Sequence, residues 1–169
     1  MQRRRFLVLG LTGAAALAAA GLWSWTRMRG DPAQAEADTA AILAAIVPAM
    51  LDGALPAAGL ERTAAVRETV DHVGRAIAGL PPASRDELGR LFALLALPVG
   101  RRVFAGVEAP WRDAGVAEVQ RFLDAWRSSG WALKRSAYDA LHQLILAAWY
   151  GNPRAWGAIG YPGPPALGG

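Results

Sequence analysis

The sequence predicts an all-α protein: an irregular bundle of about five helices, with an N-terminal signal helix and an extended Pro/Gly-rich C-terminal tail. Three observations predict it. Apolar residues recur at i, i+3, i+4 spacing in one stretch after another, which is the period of a single helix face. No segment alternates apolar and polar residues for long enough to make a strand, and no internal repeat appears. Gly79, Pro98 and Gly130 punctuate the periodic stretches as helix stops. With 169 residues, less any export signal, the chain is one domain.

Residues 1–30 read as an address. Arg3-Arg4-Arg5-Phe6-Leu7 fits the twin-arginine pattern Arg-Arg-x-Phe-Leu, with Arg3, Arg4, Phe6 and Leu7 as the signal residues. A moderately apolar, Gly- and Ala-rich run from Phe6 to Leu22 follows. The competing reading is an uncleaved signal anchor. The run is slightly short for a span of about 20 residues, but Trp23 and Trp25 would extend it as interfacial anchors. Ala18-Ala19-Ala20 and Ala35-Glu36-Ala37 both offer small residues for cleavage. The twin-arginine route exports folded proteins, commonly because a cofactor is loaded before export. A small chain with this signal and no cofactor site of its own is expected to carry a cofactor-bearing partner.

Residues 31–38 read as a polar linker, and residues 39–151 as the helical domain. The first helix begins near Thr39 with Ile42, Leu43, Ile46, Val47 and Met50 inward, and Pro48 kinks or ends it. Asp52 to Pro56 is a loop. The second helix, about Leu60 to Ala78, carries Val66, Val70, Val73 and Ile77 as its stripe, with Arg62, Arg67, Glu68, Asp71 and Arg75 on the solvated side. Ser84-Arg85-Asp86-Glu87 reads as a capping box opening the third helix, whose buried face is Leu88, Leu91, Phe92 and Leu95. Val99 to Gly115 is less regular, with a short helical turn at Arg101-Arg102-Val103-Phe104. The fourth helix runs from Val116 to Ser129, with Val116, Val119, Phe122, Leu123 and Trp126 inward and Gly130 as its cap. The last helix spans about Trp131 to Tyr150. Its core arc is Leu133, Ala137, Tyr138, Leu141, Leu144, Ile145, Ala148 and Trp149, and Leu146 and Tyr150 form a second apolar surface.

Composition removes several function classes. The formal charge is +4, but five arginines lie before residue 31 with no acid among them. The remainder holds thirteen basic and fourteen acidic residues, a net of −1. A nearly neutral body argues against nucleic acid as a partner. The absence of cysteine excludes disulfides, thiol catalysis, Cys-ligated metals and c-type haem attachment on this chain. There is no Gly-x-Gly-x-x-Gly, Walker loop or Gly-x-Ser-x-Gly. The two histidines lack carboxylates at metal spacing. His142 lies three residues after Asp139 and within reach of it, and the pair reads as a helix-surface hydrogen bond rather than a general base with its orienter. No catalytic, cofactor-binding or metal-binding residue is assigned. Trp126 and Trp149 read as core, whereas Trp111, Trp131 and Trp156 fall at element ends, where tryptophan commonly anchors protein contacts. Arg101-Arg102 reads as a solvated pair.

The most informative stretch is the last. Residues 152–169 form a tail that opens on Asn152-Pro153, carries Trp156 and continues through Gly160-Tyr161-Pro162-Gly163-Pro164-Pro165. It is aromatic, almost uncharged, and restrained by proline, so it has little entropy to lose on docking. Tyr150, Gly151, Asn152, Pro153, Trp156, Ile159, Gly160, Tyr161, Pro162 and Gly163 together resemble the C-terminal signature of the gluconate 2-dehydrogenase subunit 3 family. These are small subunits of periplasmic FAD-dependent sugar, polyol and sugar-acid dehydrogenases, and they share the layout of a twin-arginine signal, an early Ile-Val-Pro helix and a helical body. The resemblance implies a non-catalytic accessory subunit in the periplasm, or held at the inner membrane by an uncleaved signal or by its complex. It implies that FAD belongs to a catalytic subunit of the glucose–methanol–choline type, and haem c to a further cytochrome subunit. The implied partners are that catalytic subunit, the cytochrome c subunit and the twin-arginine translocase. Tyr150, Asn152, Pro153, Trp156, Tyr161, Pro162 and Gly163 are the implied partner-binding residues. The alternative from another class is a stand-alone exported helical scaffold, or an envelope protein that binds an apolar ligand.

Overall fold

A computed structural model describes residues 31–157 and 160–163. The twin-arginine residues Arg3, Arg4, Phe6 and Leu7 lie outside the described residues, as do the run to Leu22, Ile159 and Pro164 onward. The described chain is all-α, with seven helical segments and no strand among the described residues. It divides into two compact units, Met1–Ala37 and Asp38–Gly169. The described part of the first unit is Asp31 to Ala37, an exposed stretch that is helical from Pro32. Among the described residues no helix is long and apolar enough to cross a membrane.

Helix α1 spans Pro32–Met50. Residues 31–38, read as a linker, are helical from Pro32 and continue into the first helix without a break. Asp31 caps the helix by accepting the Ala33 N–H on Oδ1 at 3.0 Å, and Pro32, with φ preset, occupies the first helical position. An alanine-rich sequence then propagates it. Its core residues are Ile42, Leu43, Ile46 and Val47, as the spacing predicts, joined by Ala45 and Ala49. Pro48 neither ends the helix nor stops the Leu51 N–H from reaching Val47 O at 2.9 Å.

Helix α2, Leu60–Ala78, has the predicted bounds but a different buried stripe. Ala65, Thr69 and Val73 are buried, while Val66, Val70 and Ile77 pack half-buried beside them. The Thr69 hydroxyl satisfies itself on Ala65 O at 2.7 Å. Small residues on this line let α2 approach the helix on which it packs most extensively, the last long one.

Helix α3, Pro82–Ala96, starts before the predicted capping box, so Ser84 and Glu87 lie inside its first turns and cap nothing. Pro82, at the first helical position, begins the helix with no N–H to satisfy. Leu88, Phe92 and Leu95 are buried and Leu91 packs against them. The helix ends because Pro98 pushes Leu97 out of helical geometry, to φ −70° and ψ 135°.

The turn predicted near Arg101 is π-helical and spans Gly100–Ala105. Gly100 is required there, since a Cβ would sit 1.8 Å from Leu94 O. Gly106, left-handed at φ 73°, closes the turn. Arg101 is not solvated: it is 8 % exposed, with Nε donating to Val107 O at 3.2 Å and a terminal nitrogen donating to Glu108 O at 3.1 Å. Arg102 remains outside and pairs loosely with Glu108 at 3.5 Å. Glu118 steadies the same loop, accepting the Glu108 N–H at 2.7 Å.

Helix α4, Val116–Arg127, buries Val119, Phe122, Leu123 and Trp126. Val116, predicted inward, is exposed on the first turn, and Ser128 rather than Gly130 is the C-cap. Trp111 is a correction of a different kind. It is buried, and its Nε1 donates to Leu95 O at 2.7 Å, so it joins the loop to α3 instead of waiting for a partner. Rings connect Trp111 to Phe122 at 5.9 Å, Phe122 to Trp126 at 4.7 Å and Trp126 to Phe104 at 5.5 Å, all edge to face.

Helix α5, Ala132–Tyr150, is the hub, packing on α2, on α4 and on the short helix that follows it. Ala137, Leu141, Ile145 and Trp149 are its buried line, with Tyr138, Leu144, Leu146 and Ala148 flanking it. Leu133 departs from the predicted arc and is 67 % exposed, whereas its neighbour Lys134 reaches Phe104 O at 3.1 Å.

Candidate functional site

The C-terminal run is built on the end of α5. Gly151 caps that helix, and its N–H reaches Ala147 O at 2.9 Å. A Cβ at Gly151 would lie 2.7 Å from the same oxygen, so the chain turns this tightly only with glycine. Asn152, extended at φ −94° and ψ 127° as a residue before proline prefers, accepts the Arg154 N–H on Oδ1 at 3.0 Å. It thereby caps helix α6, Pro153–Trp156, with Pro153 at the first position.

One turn of helix has no stability of its own. Tertiary contacts hold it. Ala155 is fully buried, and the Trp156 indole N–H donates to Tyr150 O at 2.9 Å. The chain then curls over the Trp156 ring. The Tyr161 N–H donates to Trp156 O at 3.0 Å, the Tyr161 ring meets the indole edge to face at 5.2 Å, and Gly163 lies against the indole, where a Cβ would approach Trp156 to 3.1 Å.

Two carboxylates on α2 complete the arrangement. Arg154 Nε donates to Glu68 Oε2 at 3.1 Å, and a terminal nitrogen stands 4.0 Å from Glu61. The Asn152 side chain beside Glu68 holds its carboxyl below the usual glutamate range. Partial desolvation opposes this, while Arg154 and then His72 reinforce it. Arg154 and Glu68 also line an open cleft of about 380 Å³, whose other walls include Arg67, Asp71, His72 and Arg75. This cleft is charged, unlike the mostly apolar pockets that hold small molecules.

The implied partner-binding residues thus have different surroundings. Asn152 is buried and spends its side chain inside the molecule. Trp156 and Gly163 are half-buried and packed on each other. Tyr150 at 41 % and Tyr161 at 45 % are exposed, as are Pro153 and Pro162. The surface this leaves is a small aromatic and prolyl face set on one turn of helix. Sequence reasoning missed Glu68 and Glu61. They sit on the polar side of α2, and Glu68 is 86 positions from Arg154, so no local pattern marks them.

Elsewhere, His142 stacks on Tyr138 at 5.6 Å with the rings 24° apart, and among the described residues no hydrogen bond joins it to Asp139. Among the described residues no group of three or more His, Cys, Asp or Glu side chains is arranged to hold a metal ion. Trp131 is 66 % exposed, with the Lys134 ammonium 5.9 Å from its ring and 5.0 Å from that of Phe104. Comparison of the chain with protein-family models, with curated proteins and with solved structures found no match.

Proposed function

We propose that this chain is the non-catalytic small subunit of a periplasmic FAD-dependent dehydrogenase complex, of the glucose–methanol–choline type. In this reading it stabilises the catalytic subunit and carries it, folded and flavin-loaded, through twin-arginine export. The observation that carries the proposal is the C-terminal run. The described residues among those that resemble the subunit 3 signature are packed together: Asn152 caps, Trp156 organises and Tyr150 and Tyr161 remain exposed. Exposed aromatics on a preformed support are what an interface anchor requires. The twin-arginine residues Arg3 and Arg4 support the same reading independently, since a chain without a cofactor motif has little need of that route unless it carries another. FAD then belongs to the partner and haem c to a further subunit, and this chain performs no chemistry.

The test is a pull-down of a C-terminally tagged chain from the native periplasm and membrane, with a visible spectrum of the eluate. A large co-eluting protein with flavin absorption is expected, and its dye-linked activity would give the substrate. A colourless, monomeric eluate would overturn the proposal in favour of a stand-alone envelope protein.

A further inference from the structure

We propose that α6, with Tyr161 and Gly163 packed on its Trp156, is a latch whose docked state is set by Glu68 of α2. The segment is built to be marginal. Its helix is a single turn, and among the described residues of the segment Asn152 and Ala155 are the side chains buried well. Short elements with few buried contacts open locally at little cost, well below global unfolding. Buried Ala155 and the Trp156 bond to Tyr150 O seat the segment on the bundle, and its side-chain tie to α2 is the bridge from Arg154 to Glu68, with Glu61 farther away on the same helix. The ionised form of the same carboxylate is favoured by Asn152 as well as by Arg154. Gly151 supplies the joint, because it lies between the long helix and the cap and carries no side chain.

The docked state has a definite consequence for the aromatic face. Trp156 is held by Tyr150 O and covered by Tyr161 and Gly163, so the spacing of Tyr150 and Tyr161 on the surface depends on α6 staying in place. Glu68 is therefore a positioning residue, acting on that face through Arg154 and Asn152. A partner that recognises the docked face binds more weakly in proportion to the fraction of chains that are undocked. This last step rests on the function proposed above; the latch itself belongs to the isolated chain.

Hydrogen exchange on the purified full chain tests it without any partner. The Glu68→Gln variant is expected to raise the exchange of amides Arg154 to Trp156 and Tyr161 about three- to fivefold, the size of a half-exposed ion pair and its hydrogen bond. Exchange in α3 and α4 should stay at the wild-type rate. Glu61→Gln, at the longer distance, should change the segment less. The exchanged pair Glu68→Arg with Arg154→Glu should restore slow exchange. Wild-type exchange in Glu68→Gln would overturn the latch, and so would acceleration spread evenly over all helices, which would make Glu68 a residue of the global fold. Failure of the dehydrogenase pull-down, with these exchange results obtained, would remove the partner and leave the latch standing.

Discussion

At the scale of single residues, the polar groups that matter most are those satisfied over a distance. Arg101 is a surface arginine by its neighbours in sequence, yet it is buried and spans the loop beyond the π-helical turn to two carbonyls. Arg101→Ala removes both charge-assisted bonds and leaves Val107 O and Glu108 O without them. A loss of about 2–3 kcal/mol of stability is expected, read by urea denaturation. Glu68 gives a pH dependence whose sign follows from its lowered pKa. The folded chain favours the ionised carboxylate, so the stabilisation is complete above the ordinary glutamate value of about 4.3 and is lost as pH falls through the lower folded value. Arg154, Asn152 and His72 face the carboxylate, with Glu61 beyond Arg154. Exchange of the α6 amides should therefore be constant above about pH 5 and accelerate relative to α4 below about pH 4. A ratio flat through that range would show that Glu68 does not hold the segment.

At the scale of elements, the π-helical turn is the least ordinary piece, and it is tightly seated at Gly100. Pro98 stops α3 at Leu97, the backbone re-enters helical geometry at Pro98 itself, and Gly100 passes directly against Leu94 O. The contact is with backbone, which cannot rotate away. Gly100→Ala is expected to cost about 2–3 kcal/mol, visible as a lower urea midpoint with an unchanged slope. A near-neutral result would mean that the turn can rewind to an α-helical register. The same turn carries a second tie: Phe104 O accepts both the Trp126 indole N–H and the Lys134 ammonium, each at 3.1 Å, and so joins the turn to α4 and α5. By contrast α6 has few such ties, and the difference between the two short helices is one of burial rather than of sequence propensity.

At the scale of the whole molecule, the export proposal makes its own prediction. Changing Arg3 and Arg4 together to Lys keeps the charge but removes the paired guanidinium groups of the signal. The dehydrogenase activity of the proposed partner is expected to fall at least about tenfold in the periplasmic fraction, an estimate based on one signal serving two chains, and to accumulate in the cytoplasm. Activity that still reaches the periplasm would mean that the partner has its own route, and would separate the carrier role from the stabilising one. The bundle itself is expected to fold regardless, since the core among the described residues lies within Ile42 to Ala155.

The sequence by itself determined the fold class, the bounds of α2, the stop at Pro98, the core lines of α1 and α3, and that of α4 apart from Val116. The reason is physical: a 3.6-residue period of apolar groups and the fixed φ of proline act within a few residues, and a single chain displays them directly. It also placed a sharp turn at Gly151-Asn152-Pro153, but read the chain beyond as an extended tail, where Asn152 in fact caps the helical turn Pro153–Trp156. Tertiary structure alone decided which way α2 turns its small residues, why Trp111 is interior while Leu133 is not, and where Arg101 goes. It alone brought Glu68 to Arg154. Those outcomes depend on which helix lies opposite, and an exposed carboxylate on one helix has no local property that reveals an arginine held above it by another.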